Sequence, residues 1–209
     1  MSLAEKLTQG SVKLGLQIPA DVRGKMLDYL ALIAKWNRVH NLTAVRDSAR
    51  MVSAHLLDCL AIVPHLQAGS VLDVGSGAGF PGIPLALMWP QSPVIVLDSN
   101  HKKAAFLRQA VIELKLNNVE VICERVESWQ TPRTFDLVIS RAFSDLPEFV
   151  RLAGRLCSAN GRVATMKGIY PDEELAQLPD GFVLHSATPL KVPGLSAERH
   201  LVLLRPAPR

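Results

Sequence analysis

The chain has 209 residues, of which 48% are hydrophobic and 20% charged, with a formal net charge of +4. This balance excludes a disordered chain, and Asp58 and Pro90 interrupt the most apolar stretches, which argues against a membrane-spanning helix. The first ten residues carry Glu5 and Lys6 and no apolar run, so we expect no secretory signal and a cytoplasmic protein without a membrane partner.

Two features describe the N-terminal part of the chain. Residues 22–38 have apolar side chains at three- and four-residue spacing, which predicts a helix. A second helix is expected from Asp47 or Ser48 to about Pro64, so two or three helices precede the first strand. We therefore predict a helical extension over residues 1–65 and a second domain over residues 66–209. The surplus of Lys and Arg in the extension is interpreted as a solvated helix face.

The pattern then changes to short β-branched runs that alternate with helical segments. The runs at 71–74, 93–98, 119–122, 135–139 and 161–166 predict strands, and 81–89, 102–115 and 145–157 predict helices. Residues 182–187 and 200–204 predict a terminal antiparallel pair. This alternation indicates an α/β fold, with a mixed, mostly parallel sheet that is covered by helices on both faces.

A glycine-rich turn follows the first strand. Gly75, Gly77 and Gly79 alternate there, and side chains at these positions would block a close ligand or forbid the backbone dihedrals. Residues 77–82 also spell the GxGxxG of dinucleotide-binding proteins. The start of the loop at Gly75 favours S-adenosylmethionine over NAD. Asp98, at the end of the second strand, is suited to bind ribose in either cofactor.

Several short motifs, taken in order, resemble the RsmG (GidB) family of 16S rRNA methyltransferases over nearly the whole chain. They are Trp36-Asn37, Asn41-Leu42-Thr43, His55 with Asp58, residues 73–84, Leu97-Asp98-Ser99 with Lys102, Arg125-Val126-Glu127, Ser140-Arg141-Ala142-Phe143, Lys167-Gly168 and Glu198-Arg199-His200-Leu201. The resemblance implies a class I, Rossmann-like S-adenosylmethionine-dependent methyltransferase. It also implies methyl transfer to N7 of a guanine, guanine 527 in the 530 loop of 16S rRNA.

The resemblance assigns cofactor-binding roles to named positions. Gly75 and Phe80 would line the methionine and ribose side of the cofactor, Gly77 and Gly79 would also bind it, and Asp98 would bind the sugar. Val126 and Glu127 would reach adenine, although Arg125 and Glu127 would otherwise be interpreted as a surface ion pair. Arg141 would meet the cofactor carboxylate or the acceptor.

The residues after the fourth strand constrain the acceptor. The chain lacks the Asp/Asn-Pro-Pro-aromatic tetrad of adenine amino methylation, and none of its cysteines fits cytosine carbon methylation. Guanine N7 has an available lone pair and needs no general base. We hypothesise that four cations, Lys102, Arg141, Lys167 and Arg199, surround the acceptor and hold the RNA backbone, while Phe143 stacks on a base.

Other residues receive structural interpretations. Cys59, Cys123 and Cys157 are scattered without CxxC spacing, so we expect buried free thiols with no disulfide partner. His55 and Asp58 lack further ligands at metal-site spacing, so no metal is expected, and we predict a hydrogen bond between them within one helix.

The expected partner is 16S rRNA or the small ribosomal subunit, and the expected state is a monomer. Two alternatives remain at this stage. One is a small-molecule methyltransferase with the N-terminal helices as a lid, which the convergence of cations disfavours. The other is an NAD-dependent oxidoreductase, favoured only by the overlapping GxGxxG.

Overall fold

The structure, a computed structural model, describes residues 1–67, 69–141, 143 and 145–208. These residues form a seven-stranded sheet with the order β3-β2-β1-β4-β5-β7-β6. The strands are β1 (Val71–Val74), β2 (Val94–Leu97), β3 (Val119–Ile122), β4 (Phe135–Ser140), β5 (Cys157–Lys167), β6 (Phe182–Pro189) and β7 (His200–Pro206).

The sheet is mixed, as predicted. Strands β1 to β5 run parallel to their neighbours, whereas β7 is antiparallel to both β5 and β6 and lies between them. The doubly wound NAD-binding sheet has the order 3-2-1-4-5-6 without such an inserted strand. The position of β7 therefore separates this fold from the dinucleotide-binding alternative. Because β1 and β4 are neighbours with their crossovers on opposite sides, their carboxyl ends mark the crevice in which ligands bind.

Helices cover both faces of the sheet. They are α1 (Leu3–Lys13), α2 (Ala20–Trp36), α3 (Ser48–Met51), α4 (Asp58–Leu60), α5 (Gly82–Met88), α6 (His101–Glu113), α7 (Leu146–Ala153) and α8 (Asp172–Leu175). One hydrophobic core joins the N-terminal helices to α5, α6 and the sheet, and a second lies under α7. No helix in the described part of the chain is long and apolar enough to cross a membrane.

The first helix begins with a capping box formed by Ser2 and Glu5. The Ser2 hydroxyl accepts a hydrogen bond from the Glu5 backbone N–H at 3.1 Å, and the Glu5 carboxylate accepts one from the Ser2 N–H at 2.7 Å. This reciprocal pair satisfies two N–H groups that a helix start otherwise leaves unpaired. Leu7 then anchors α1 in the core, where it is fully buried.

The predicted second helix is present but irregular. Between α3 and α4 the segment Val52–Leu57 is π-helical, and a short 3₁₀ turn, Val63–His65, follows. The backbone N–H of Asp58 donates to the Ser53 carbonyl five residues earlier, as a π turn requires. Such turns occur often at functional sites, and this one carries His55 and ends next to Asp58.

Candidate active site

Three adjoining cavities lie along the carboxyl edge of the sheet. The strand-edge cavity has a volume of about 370 Å³, and its lining includes Gly75, Asp98, Lys103, Val126, Glu127 and Phe143. The loop cavity, of about 210 Å³, is lined by residues that include Thr43, His55, Gly75, Gly77, Phe80, Lys103 and Arg141. The arginine cavity, of about 410 Å³, is lined by residues that include His55, Asp58, Arg141, Met166, Gly168 and Arg199. Shared lining residues connect each cavity to the next.

The glycine turn lies between β1 and α5, and its glycines have different roles. Gly75, Gly77 and Gly79 all have positive φ, at 68°, 60° and 91°, a region that disfavours side chains. A Cβ added at Gly77 would meet only the Gly75 carbonyl oxygen, at 3.9 Å, so this position is open. A Cβ at Gly79 would lie 2.5 Å from the Tyr29 hydroxyl. The expected close approach of a ligand at Gly79 is thus not what the structure shows: its missing side chain makes room for Tyr29.

Asp98 is a buried carboxylate in the wall of the strand-edge cavity. It is 5% exposed. Its Oδ2 accepts a hydrogen bond from the Gly77 N–H and its Oδ1 accepts one from the Asn100 N–H, both at 2.8 Å. Each carboxylate oxygen can accept a second hydrogen bond. The carboxylate is therefore fixed in direction, with acceptor capacity left for a ligand.

The cation beside Asp98 is Lys103, and sequence analysis selected Lys102 instead. The Lys103 ammonium lies 4.0 Å from Asp98 Oδ2, and Lys103 lines both the strand-edge and the loop cavities. Lys102 is exposed at the start of α6, where its backbone N–H donates to the Asn100 cap. The structure thus does not bring Lys102 to the acceptor, because the helix phase turns it to solvent.

Val126, Glu127 and Phe143 line the far end of the strand-edge cavity. Arg125 and Glu127 form an exposed ion pair at 3.5 Å, which is the surface pair considered above, and such pairs contribute little to stability. Phe143 packs against Phe149, with 5.0 Å between ring centroids. Its expected role as a stacking partner for an RNA base is not supported, because the ring faces the strand-edge cavity and α7. Ala142, in the same motif, lies outside the described residues.

Arg141, directly after β4, lies between the loop cavity and the arginine cavity. Its guanidinium carbon is 5.1 Å from the centroid of the Phe80 ring, a cation–π contact. Its Nη1 donates to Asp58 Oδ2 at 3.0 Å and to the Ala54 carbonyl at 3.3 Å. These contacts fix the guanidinium group where the two cavities meet.

Arg199, directly before β7, shares Asp58 with Arg141. Its Nε donates to Asp58 Oδ1 at 3.0 Å, and its Nη1 donates to the Glu198 carbonyl at 2.8 Å. One buried carboxylate from α4 therefore pairs with guanidinium groups from two strand ends. Of the four predicted cations, Arg141 and Arg199 are the two that the structure brings together.

Lys167 is the last residue of β5 and has a different partner. It is 8% exposed, and its ammonium donates to both carboxylate oxygens of Glu174, at 3.0 and 2.7 Å. Glu174 Oε2 also accepts from the Leu146 N–H at 2.5 Å. Lys167 thus links β5 to α8 and the start of α7. The prediction that it surrounds the acceptor with the arginines is not supported, because this ion pair directs it to α8.

The predicted hydrogen bond between His55 and Asp58 is wrong. His55 Nδ1 donates to the Ala54 carbonyl at 3.0 Å, and the Thr43 hydroxyl lies 2.8 Å from Nε2. Burial, with the nearby Arg141 charge, lowers the pKa of His55 to about 4, so the ring is neutral at pH 7. A carbonyl only accepts, so Nδ1 carries the proton and Nε2 accepts from Thr43. The π-helical turn separates His55 from Asp58, and each has a closer partner.

Thr43 reaches His55 because Asn37 holds the loop between α2 and α3. Asn37 Oδ1 accepts from the N–H groups of Leu42 and Thr43 at 2.8 and 3.1 Å, and its Nδ2 donates to the Thr43 carbonyl at 2.9 Å. Asn37 is 4% exposed. Sequence analysis noted Asn37 and Thr43 as motif residues but assigned them no role, since only the folded loop shows which groups they contact.

The three cysteines differ in their burial. Cys59 is buried, whereas Cys123 and Cys157 are only partly buried, so the expectation that all three are buried is wrong. Burial raises the pKa of the Cys157 thiol to about 11. Among the residues that the structure describes, no three His, Cys, Asp or Glu side chains are grouped so that they could hold a metal ion.

Solved structures show the same architecture. A crystal structure of the glycopeptide N-methyltransferase MtfA complexed with S-adenosylhomocysteine matches with a TM-score of 0.64 and 12% sequence identity, over 73% of this chain and 87% of that chain. At this identity the match shows the fold alone, which is that of class I S-adenosylmethionine-dependent methyltransferases. The predicted fold class is confirmed.

Sequence comparisons are more specific. The protein named Ribosomal RNA small subunit methyltransferase G from Nitrosospira multiformis is 54% identical over 99% of this chain and 99% of its own length. The protein of the same name from Laribacter hongkongensis is 54% identical over 98% and 99%. The model of the GidB family, rRNA small subunit methyltransferase G, matches residues 23–202. The chain therefore belongs to the rRNA small subunit methyltransferase G family.

Proposed function

We propose that this protein transfers a methyl group from S-adenosylmethionine to N7 of guanine 527 in 16S rRNA. The family membership supports rRNA of the small subunit as the substrate. The observation that carries the proposal is the position of Arg141, which lines both the loop cavity and the arginine cavity. In this proposal the strand-edge and loop cavities form the methyl-donor site, and the arginine cavity forms the acceptor site. Arg141 lies where the two sites meet.

The residues that line the donor site can be compared with the chemical groups of S-adenosylmethionine. S-adenosylmethionine has a ribose with two hydroxyl groups, and the fixed Asp98 carboxylate has acceptor capacity for them. The backbone at Gly77 is open to close approach, since only a distant carbonyl would meet a Cβ there. Val126 and Glu127 offer an apolar contact and an acceptor for adenine. These residues fit the cofactor, and in this proposal Gly75 and Phe80 line its methionine side.

Among the described residues that line the loop and arginine cavities, the two side chains best suited to act as a general base, His55 and Asp58, are both engaged in hydrogen bonds. When bound, S-adenosylmethionine supplies an electrophilic methyl group on a positively charged sulfur. Both ring nitrogens of His55 are already hydrogen-bonded, and the ring is neutral with a pKa of about 4. Methylation of N7 needs no proton removal, only alignment of the nitrogen with the methyl carbon. The chemistry of these side chains therefore fits guanine N7 better than an amino group.

The arginine cavity suits an RNA acceptor. Arg199 and Arg141 present guanidinium groups, which bind phosphate in a bidentate manner, and Gly168 leaves that wall open. In this proposal the two arginines bind the RNA backbone near the target base. Lys102, exposed on α6, would contact phosphates farther from the site, and Lys167 would position the β5 end through Glu174.

The experiment that tests this function measures methyl transfer from tritiated S-adenosylmethionine. Small ribosomal subunits from a strain without the activity, naked 16S rRNA and large subunits are compared as acceptors. We expect label in 16S rRNA, and Arg199→Ala should lower the rate at least tenfold while leaving cofactor affinity nearly unchanged. Label confined to a metabolite fraction or a protein would contradict the proposal.

A further inference from the structure

Asp58 is a buried anion between two cations that line one cavity. It is 2% exposed, while the Arg141 and Arg199 side chains are 24% and 26% exposed. Each of its oxygens accepts one guanidinium hydrogen bond at 3.0 Å. The carboxylate comes from α4 in the helical extension, whereas the arginines come from the ends of β4 and β7, so three distant parts of the chain meet here.

This arrangement sets the charge of the arginine cavity. Among the described residues of its lining, the charged side chains are Asp58, Arg141 and Arg199. The anion offsets one of the two cations and leaves a surplus of one positive charge. Arginine is protonated at any physiological pH, so Asp58 determines this balance.

The balance matters because the reaction moves a positive charge. The lone pair of guanine N7 forms a bond to the methyl carbon, and the carbon–sulfur bond breaks with its electron pair left on sulfur. No proton is transferred. Sulfur changes from a cationic sulfonium to a neutral thioether, and the guanine ring becomes a cation. A site with two unpaired guanidinium groups would attract phosphate strongly but would oppose the cationic guanine.

We propose that Asp58 is a positioning residue that holds Arg141 and Arg199 at the cavity wall and offsets one of their charges, which limits the affinity of the cavity for RNA and lets it accept a cationic methylated guanine. This inference rests on the proposed function and extends it to a residue that acts through the two arginines. Its effect is opposite in sign for the two measurable steps: the anion weakens RNA binding and favours methyl transfer.

The test is Asp58→Asn, which keeps the size of the side chain and removes its charge, with the exposed Asp28→Asn as a control of equal charge change. RNA affinity is measured at several salt concentrations, and the single-turnover rate is measured with saturating enzyme. For Asp58→Asn we expect RNA binding to be equal or tighter, with a salt slope steeper by up to about one unit. We expect the single-turnover rate to fall about tenfold or more. The Asp28→Asn variant should match the wild type in both.

The outcomes separate this inference from the proposed function. A wild-type protein that transfers no methyl group to rRNA contradicts the proposed function. Asp58→Asn contradicts the inference if its rate equals that of the wild type, or if rate and RNA affinity fall together as they would after a simple loss of structure. Thermal melting identifies a variant that does not fold. In that case Asp58→Glu, which retains the charge, is used, and a salt slope steeper than that of the wild type would overturn the inference.

Discussion

The Asp98 carboxylate accepts a hydrogen bond from the backbone N–H of Gly77, with 2.8 Å between Oδ2 and nitrogen. This bond joins the end of β2 to the glycine turn after β1. The turn is therefore held in its ligand-binding shape by the residue that we expect to bind the ribose. We therefore expect a single carboxylate to contribute both to the shape of the site and to its affinity for the cofactor.

Replacing Asp98 by Asn should weaken cofactor binding. The Asn amide would place an N–H group against one of two backbone N–H donors, from Gly77 or Asn100, and would lose the negative charge that strengthens both bonds. Hydrogen bonds to charged groups contribute about 1.5–3 kcal/mol, so we expect the Kd for S-adenosylhomocysteine to rise by at least about tenfold in calorimetry. A Kd within twofold of the wild type, for a variant that is folded, would show that Asp98 does not bind the ligand.

The two glycines of the turn should respond differently to alanine. Both have positive φ, so Gly77→Ala and Gly79→Ala share a backbone cost of about 1 kcal/mol. At Gly79 the added carbon also meets the Tyr29 hydroxyl and Ile83 at 2.5 and 2.6 Å, which adds about 1–3 kcal/mol of overpacking. Denaturant unfolding should show Gly79→Ala as the less stable variant. Calorimetry of the folded fraction should show the larger loss of cofactor affinity for Gly77→Ala; the reverse order in both measurements would refute these separate roles.

Lys103 and Lys102 form a matched pair of adjacent cations. Lys103 lines the strand-edge and loop cavities near Asp98, whereas Lys102 faces solvent. Lys103→Ala should raise the Kd for S-adenosylhomocysteine about twofold to fivefold, which is the range of a partly exposed ion pair. Lys102→Ala should leave that Kd unchanged. Equal effects of the two substitutions would show that position in the cavity is irrelevant.

The sequence contains a signal that distinguishes these two lysines, which is their spacing from the buried residues of α6. Lys103 precedes Phe106, Leu107 and Ala110 by three, four and seven residues, and those three side chains are buried on α6. The helical period thus places Lys103 on the inward face and Lys102 outside it. The motif position indicates Lys102, whereas this periodicity indicates Lys103. The short β-branched runs correctly predicted the seven strands, and the helical segments between them correctly predicted α5, α6 and α7, with bounds that differ by a few residues, whereas α8 was not predicted.

Other parts of the site could not be predicted from local pattern. The π-helical turn at Val52–Leu57 has no sequence signature of its own, yet it decides that Asp58 contacts Arg141 and Arg199 and not His55. The pairing of Lys167 with Glu174 depends on how the segment after β5 folds back. These contacts join residues up to 141 positions apart, and only the packed fold determines which opposite charges meet.

Asp73 should make stability depend on pH. It is fully buried in β1, and burial raises its pKa from 3.8 to about 7, although the Gly82 N–H donates to its Oδ2 at 2.8 Å. The folded protein then holds a proton on Asp73 that the unfolded chain releases near pH 4. The resulting contribution to the free energy of unfolding is fully present below pH 4 and is lost as the pH rises to 7. Relative to Asp73→Asn, the wild-type free energy of unfolding should fall by a few kcal/mol over that interval.

The Asp73 prediction is measured by urea unfolding of both proteins at several values between pH 4 and 8. Other titrating groups, including His55 with its lowered pKa, are present in both proteins and cancel in the difference. A constant difference in free energy across the interval would mean that Asp73 is ionised throughout.

The most direct test of the proposed activity is the position of the new methyl group. Small ribosomal subunits that lack the modification are incubated with the protein and S-adenosylmethionine, the 16S rRNA is digested, and the fragments are identified by mass spectrometry and by strand scission at N7-methylguanine. We predict one added methyl group, at N7 of guanine 527. A methyl group on an amino nitrogen, on a ribose or at a different nucleotide would contradict the account.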